Sequence, residues 1–321
     1  MTYAFDPELV PWIEMLPQTP LTDIELVRQS ESDLIADVPV YEPPIPLDVR
    51  DLEVPGPQSD PQVPVRVYKP ADADGTLPGL LYLHGGGFVL GSVAMFDSHA
   101  ARIAAEVGAV VVSVEYRLAP EHPFPAGFED CYAALLWTAA HAAELGIDPE
   151  RLGVGGESAG GGLAAAIALV ARDRGGPALC FQLLGIPELD DRLDTVSMRA
   201  FTDTPLWNRP DAELSWDYYL GVGVRGTEGV SPYAAPARAE DLSGLPRAYV
   251  TTCEFDPLRD EGLTYAQRLL QAGVPTELHH YPGTFHGSAL IEDAAVTQRM
   301  IADQLGALRR GLRAALPASK A

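Results

Sequence analysis

The pentapeptide Gly156-Glu157-Ser158-Ala159-Gly160 sets a serine between two glycines, each two residues away. It fits G-x-S-x-G, the pattern of a nucleophilic serine on a sharp strand-to-helix turn. Such a turn strains the serine backbone and needs small neighbours, so that strand and helix can pass each other. It pushes the hydroxyl out of the sheet at a helix N-terminus, where peptide dipoles favour negative charge. The flanks suit this geometry: RLGVGG (151–156) reads as a strand and AGGGLAAAIALVA (159–171) as a helix. A glycine-rich phosphate loop is the competing reading. A dinucleotide site would need G-x-G-x-x-G after an early strand and an acid about 20 residues on; neither is evident.

A serine needs a base, and the base needs an orienting acid. For a serine on this kind of turn the chain order is Ser, acid, His, which restricts the search to residues beyond 158. Three histidines qualify, His279, His280 and His286. The first two lie inside a strand-like run, TELHHY (276–281), and read as alternating between its faces. His286 lies in the following loop, PGTFHG, and is the expected base. The acid should follow the preceding strand, RAYVTTCE (247–254), in the loop CEFDPLRDEG. Asp256 is the first choice, with Glu254 as runner-up. Asp260 and Glu261 fall in the first turn of the next helix, where acids are favourable in any case.

A second cluster is LLYLHGGGFVLGS (80–92), three adjacent glycines directly after a buried strand. Glycines there pack nothing and carry an entropic cost. They make sense if backbone N–H groups must approach a substrate closely. Ester hydrolysis puts negative charge on a carbonyl oxygen, and preorganised donors must receive it. The expected donors are Gly86 and Gly87, with Ala159 after the nucleophile. His84 then holds the loop in shape and is not a second base.

These residues need elements to position them. From about residue 46, strands and helices alternate: two strands joined by a Pro/Gly-rich turn, then LPGLLYLH, a helix over 96–107, the strand AVVVSVEY (109–116) and a helix across 127–144. After the Ser158 unit come ALCFQLLG (178–185), an aperiodic region 187–240 rich in Trp and Tyr, the strand at 247–254, a helix at 259–271, TELHHY and a terminal helix from about 287. This pattern predicts a mostly parallel sheet covered by helices on both faces. Residues 1–45 carry two short amphipathic patches and an extended link.

Composition bounds the partners. The 321-residue chain has 22 Lys and Arg against 45 Asp and Glu, a net charge of −23. Nucleic acid and anionic membranes would repel it. Three cysteines without a CxxC argue against a disulfide framework or zinc site and fit a reducing compartment. The N-terminus lacks the basic region of a signal peptide and no apolar run reaches membrane-spanning length, so a cytoplasmic location is expected.

The pieces HGGGF (84–88), YRLAPEHPFPA (116–126), GESAGGG (156–162), DPLRDEG (256–262) and FHG (285–287) occur in an order and spacing that cover residues 80–290. Together they resemble the hormone-sensitive-lipase-like branch of the α/β-hydrolases, the bacterial carboxylesterases of that group. The resemblance implies an α/β-hydrolase fold with an eight-stranded, mostly parallel sheet and a helical cap. It implies an N-terminal cap part at 1–45, a core in two parts at 46–186 and 241–321, and a cap insertion at 187–240. The implied triad is Ser158, Asp256 and His286, and the implied oxyanion hole is Gly86, Gly87 and Ala159. No cofactor or metal is implied. The substrate would be a small ester of short to medium acyl chain, and the sheet edge at 276–281 is the expected homodimer contact. Tyr116, Arg117 and the APEHPFPA loop read as scaffold for the oxyanion loop. One departure is Glu157, where the group commonly has Asp. The alternative readings are a non-catalytic small-molecule-binding protein on the same fold, or an amidase or acyltransferase with the same triad.

Overall fold

The computed structural model of the protein describes residues 3–16, 21–37, 41–57 and 61–313. Its strands are β1 (Leu47–Pro55), β2 (Gln62–Pro70), β3 (Leu77–Leu83), β4 (Val110–Val114), β5 (Ile147–Glu157), β6 (Phe181–Gly185), β7 (Arg247–Phe255) and β8 (Thr276–Phe285). They form one eight-stranded sheet in the order β1-β2-β4-β3-β5-β6-β7-β8. The β1–β2 and β2–β4 pairs are antiparallel and the rest are parallel. The helices are α1 (Val10–Ile13), α2 (Ile24–Asp37), α3 (Asp97–Ile103), α4 (Ala126–Ala140), α5 (Ala142–Leu145), α6 (Ala159–Asp173), α7 (Val196–Ala200), α8 (Arg209–Leu220), α9 (Arg259–Gln271) and α10 (Ala295–Arg313).

The central strands read as unbroken apolar runs because both faces of the sheet are covered. Leu81 and Leu83 of β3 join the core formed with α4, α6 and α9, while Leu80 and Tyr82 join the opposite core formed with α3 and α10. The order reverses around β3, with β4 on one side and β5 on the other. In open α/β sheets a ligand crevice lies outside the carboxyl ends of the strands at such a switch point. The HGGG run leaves β3 there and Ser158 leaves β5 beside it.

Several boundaries differ from the sequence expectation. β8 continues to Phe285 through Pro282 and Gly283, two residues that hide a strand in sequence. Helix α10 begins at Ala295, since Ser288–Leu290 form a 3₁₀ turn after His286. The Ala295 N–H donates to Glu8 Oε2 (2.6 Å), so a side chain from the N-terminal segment serves one open donor of that helix end. The first N-terminal helix has only four residues, and α3 ends in a π-type turn, Ala104–Gly108. Among the described residues no helix is long and apolar enough to cross a membrane.

The N-terminal segment meets the carboxyl end of the sheet. Asp6 N–H donates to Gly283 O (2.9 Å), and Leu9 is buried in a cluster with Phe285, Ile291, Ala294 and Val296. In α2, Arg28 donates to the carbonyls of Val89 and Ala119 and pairs with Glu121. Leu21 N–H reaches Asp211 of α8 at 3.5 Å.

Candidate active site

Ser158 stands between β5 and α6 with φ 57° and ψ −121°, a strained backbone for a residue with a side chain. Its glycine neighbours are sterically required. A Cβ at Gly160 would lie 2.0 Å from Leu83 O, and one at Gly156 would lie 2.3 Å from the same atom. Only glycines let the turn pass this close to β3, which fixes the hydroxyl above the sheet.

The structure brings Ser158, His286 and Asp256 together. Ser158 Oγ lies 2.9 Å from His286 Nε2, and His286 Nδ1 lies 2.8 Å from Asp256 Oδ2. Asp256 directly follows β7 and His286 directly follows β8. Asp256 is fully buried, and its Oδ1 accepts the Leu258 N–H (2.8 Å), which leaves Oδ2 for the imidazole. Ser158 and His286 keep 8% and 7% exposure, enough contact with the crevice to meet a substrate. The other acids take different places. Glu254 Oε2 accepts the Gly283 N–H (2.7 Å), steadying the β8 segment that leads to His286. Asp260 Oδ2 accepts the Ser197 N–H of α7. Glu261 accepts from the Leu189 and Asp190 N–H groups, shaping the loop after β6. His279 contacts Asp303 and Glu277 on the outer flank, and His280 contacts Thr252.

The oxyanion loop is held from several sides. His84 is fully buried, stacked on Tyr116 with ring centroids 4.1 Å apart, and its Nδ1 lies 2.7 Å from Gly85 O. Burial pushes its imidazole down to about 4, so it stays neutral. Tyr116 Oη donates to His84 O (2.8 Å), and Ala119 N–H donates to Phe88 O (3.0 Å). Arg117 grips Asp130 with two nitrogens, at 2.8 and 2.7 Å, so the 116–126 segment is a brace for this loop. Gly86 and Gly87 have φ 121° and 56°. Among the described residues, no hydrogen bond engages the N–H of Gly86, Gly87 or Ala159.

Three side chains of the site were not singled out from the sequence. Trp207 packs directly on the glycine loop: a Cβ at Gly87 would lie 2.4 Å from its Cη2. Its ring also sits 5.9 Å from that of His286. Ser215 of α8 donates to Gly87 O (2.6 Å), and the fully buried Glu188 follows β6. Trp207 and Ser215 fall in the aperiodic 187–240 region, where no spacing rule selects a residue. An acid directly after an apolar strand was the one available signal for Glu188. Glu157 is half-buried, its carboxylate bonded by Gln304 of α10 and pushed up to about 7 by the desolvation its surroundings impose.

The chain is similar to known proteins along most of its length. A family model described as alpha/beta hydrolase fold matches residues 80–290. Carboxylesterase NlhH of Mycobacterium tuberculosis is 46% identical over 257 residues, covering 78% of this chain and 79% of that protein. Esterase LipI of the same organism is 40% identical over 290 residues, 88% of each. The solved structure of a bacterial heroin esterase superposes with a TM-score of 0.93 at 53% identity, covering 97% of this chain and 99% of the other.

Proposed function

The chain belongs to the α/β-hydrolase family, in its hormone-sensitive-lipase-like branch, and is a carboxylic ester hydrolase; from that premise we propose that Ser158, His286 and Asp256 carry the reaction, with the N–H groups of Gly86, Gly87 and Ala159 as oxyanion donors. The observation that supports this reading is the unbroken contact from Ser158 Oγ through the imidazole to Asp256, at 2.9 and 2.8 Å.

Ser158 Oγ attacks the ester carbonyl carbon as its proton passes to His286 Nε2. The carbonyl oxygen takes the negative charge and turns to the backbone donors. His286 then donates that proton to the departing alkoxide, and the C–O bond to the alcohol breaks, leaving the acyl group on Ser158. Water loses a proton to Nε2, attacks the acyl carbon, and the acid leaves as the proton returns to Oγ. Asp256 accepts the Nδ1–H and holds the ring in the tautomer that presents Nε2 to the serine.

The substrate is a small ester with a short to medium acyl group. Trp207 fills the space against the glycine loop, which supports a shallow acyl pocket. The 1–45 segment and the 187–240 insertion form the cap, supported by the contacts of Asp6, Arg28 and Ser215 with the strand ends and the oxyanion loop. Two copies pair through the β8 edge, where Leu278 is 38% exposed. Light scattering that finds a strict monomer at micromolar concentration rules the pairing out. The three cysteines, all buried and unpaired, support a cytoplasmic setting.

The test is a panel of p-nitrophenyl esters of rising chain length, run on wild type and Ser158→Ala together, with peptide mapping of an organophosphate adduct. The expected result is loss of nearly all turnover in Ser158→Ala and an adduct on Ser158. An adduct elsewhere, or an active Ser158→Ala enzyme, overturns the assignment.

A further inference from the structure

Two adjacent glycines make a good oxyanion loop and a poor rigid body. Neither has a side chain to restrain its ψ angle, so the orientation of its peptides must be fixed from outside. The surrounding carbonyls have such anchors in the α/β core. Gly86 O accepts from Val89 and Leu90 (3.0 and 2.8 Å), and Phe88 O accepts from Ala119 (3.0 Å). Gly87 O has a different one. It accepts from Ser215 Oγ at 2.6 Å, and Ser215 belongs to helix α8, outside the core sheet and its covering helices.

Ser215 is fully buried and has a single hydroxyl proton, which this bond uses. On its other side stands Glu188, also fully buried, with Oε1 3.5 Å from Ser215 Oγ and Oε2 without a partner among the described residues. The Glu188 backbone N–H donates to Ser158 O (3.1 Å). A carboxylate and a hydroxyl with its proton already committed would meet lone pair to lone pair. A protonated carboxyl would donate to Ser215 Oγ and complete the chain.

We propose that Ser215 and Glu188 are positioning residues for ester hydrolysis: the protonated Glu188 carboxyl donates to Ser215 Oγ, which donates to Gly87 O and so holds the oxyanion loop in its working orientation. The pair ties the cap helix, the nucleophile turn and the glycine loop at one point. It rests on the triad reading above. The charge state agrees with the geometry. Burial is the main reason the Glu188 carboxyl is pushed up to about 8; a bond donated by Ser215 would pull it down, and the negative Asp256 adds to the rise. The titratable groups facing it are Tyr219 of α8, Asp256 after β7 and Glu261 of α9. None is a cation that would favour the carboxylate. Above about pH 8 the ionised carboxyl can only accept. It then competes for the Ser215 proton, and Gly87 O is released.

The experiment compares kcat and KM of wild type, Ser158→Ala, Ser215→Ala and Glu188→Gln with p-nitrophenyl acetate from pH 6 to 10. Folded sites are counted in wild type, Ser215→Ala and Glu188→Gln by organophosphate titration. Ser215→Ala is expected to lower kcat per titrated site about tenfold at neutral pH, with KM changed less than about twofold, because the loop acts on the transition state. Wild-type kcat should fall above about pH 8. In Glu188→Gln that alkaline fall should disappear, since an amide donates at every pH. A wild-type kcat per site in Ser215→Ala, or an alkaline limb unchanged in Glu188→Gln, overturns the proposal. Should Ser215→Ala fail to fold, the pH profile of Glu188→Gln decides alone. An active Ser158→Ala enzyme would sink the triad reading itself; an inert one beside an unaffected Ser215→Ala enzyme removes only the clamp.

Discussion

Asp256 and Glu254 lie two residues apart at the end of β7 and have different neighbours. Asp256 meets His286 Nδ1, while Glu254 meets the Gly283 N–H. Asp256→Asn should therefore lower kcat by about 10⁴, because the amide favours the wrong imidazole tautomer. Glu254→Gln should lower it by less than about tenfold, through a looser β8 end. Steady-state kinetics on the two variants checks the ranking, and a reversal would make Glu254 the orienting acid. These residues could be found in the sequence because each follows a strand that is itself easy to read, and because the chemistry demands a serine, an acid and a histidine. Glu188 and Ser215 could not, since a hydrogen bond between residues 27 apart in an aperiodic segment leaves no pattern. Glu157 is legible as a departure but not in its surroundings. Its Gln304 partner lies 147 residues away, on a helix whose start the sequence misplaces.

At the scale of elements, the sheet was legible because burial on both faces makes its central strands continuous apolar runs. The N- and C-terminal bounds of β5 and β8 were not. Pro149, Pro282 and Gly283 lie inside those strands and read as breakers; they sit in irregularities of the ladder, Pro149 where β5 meets β3 and the other two where β8 meets β7, and pairing resumes on the far side of each. The segment between β6 and β7 was legible only as an interruption. Its helix α8 packs through Ala212, Ser215, Trp216 and Tyr219, and Trp207 precedes it. Trp207 gives this element its measurable role. Trp207→Ala removes the indole from the glycine loop and His286, so the ratio of C8 to C4 ester hydrolysis should rise at least about threefold, with a lower kcat on C4. An unchanged ratio in a folded variant would separate Trp207 from the acyl pocket.

For the whole molecule, the desolvated ionisable groups set a direction for stability. Desolvation raises Glu157 to about 7, Glu188 to about 8 and Glu261 well above its ordinary value. The folded state thus holds protons that the unfolded chain releases from about pH 4.5 upward. The stability these groups contribute is complete below that point and declines as pH rises through 7 and 8. His84 and His99 act in the other direction. Both are lowered to about 4 by burial, so their contribution is complete above about 6.5 and lost as pH falls through 4. The net charge of −23 adds self-repulsion on the alkaline side. Thermal melts should give a maximum midpoint near pH 5 to 6 and a fall of at least about 5 °C by pH 9. A midpoint that climbs from pH 6 to 9 would contradict this balance. The long reach between the proposed nucleophile and base has a consequence in time. Ser158 and His286 are 128 residues apart in the chain, and the acid precedes the base by only 30. At roughly 5–20 residues per second of synthesis, the serine leaves the ribosome roughly 6 to 25 s before its base. On the triad proposed above, a chain stalled short of residue 286 lacks the imidazole that would take the Ser158 proton. Incomplete chains should therefore be inert toward esters, with hydrolysis beginning only after the last strand is delivered.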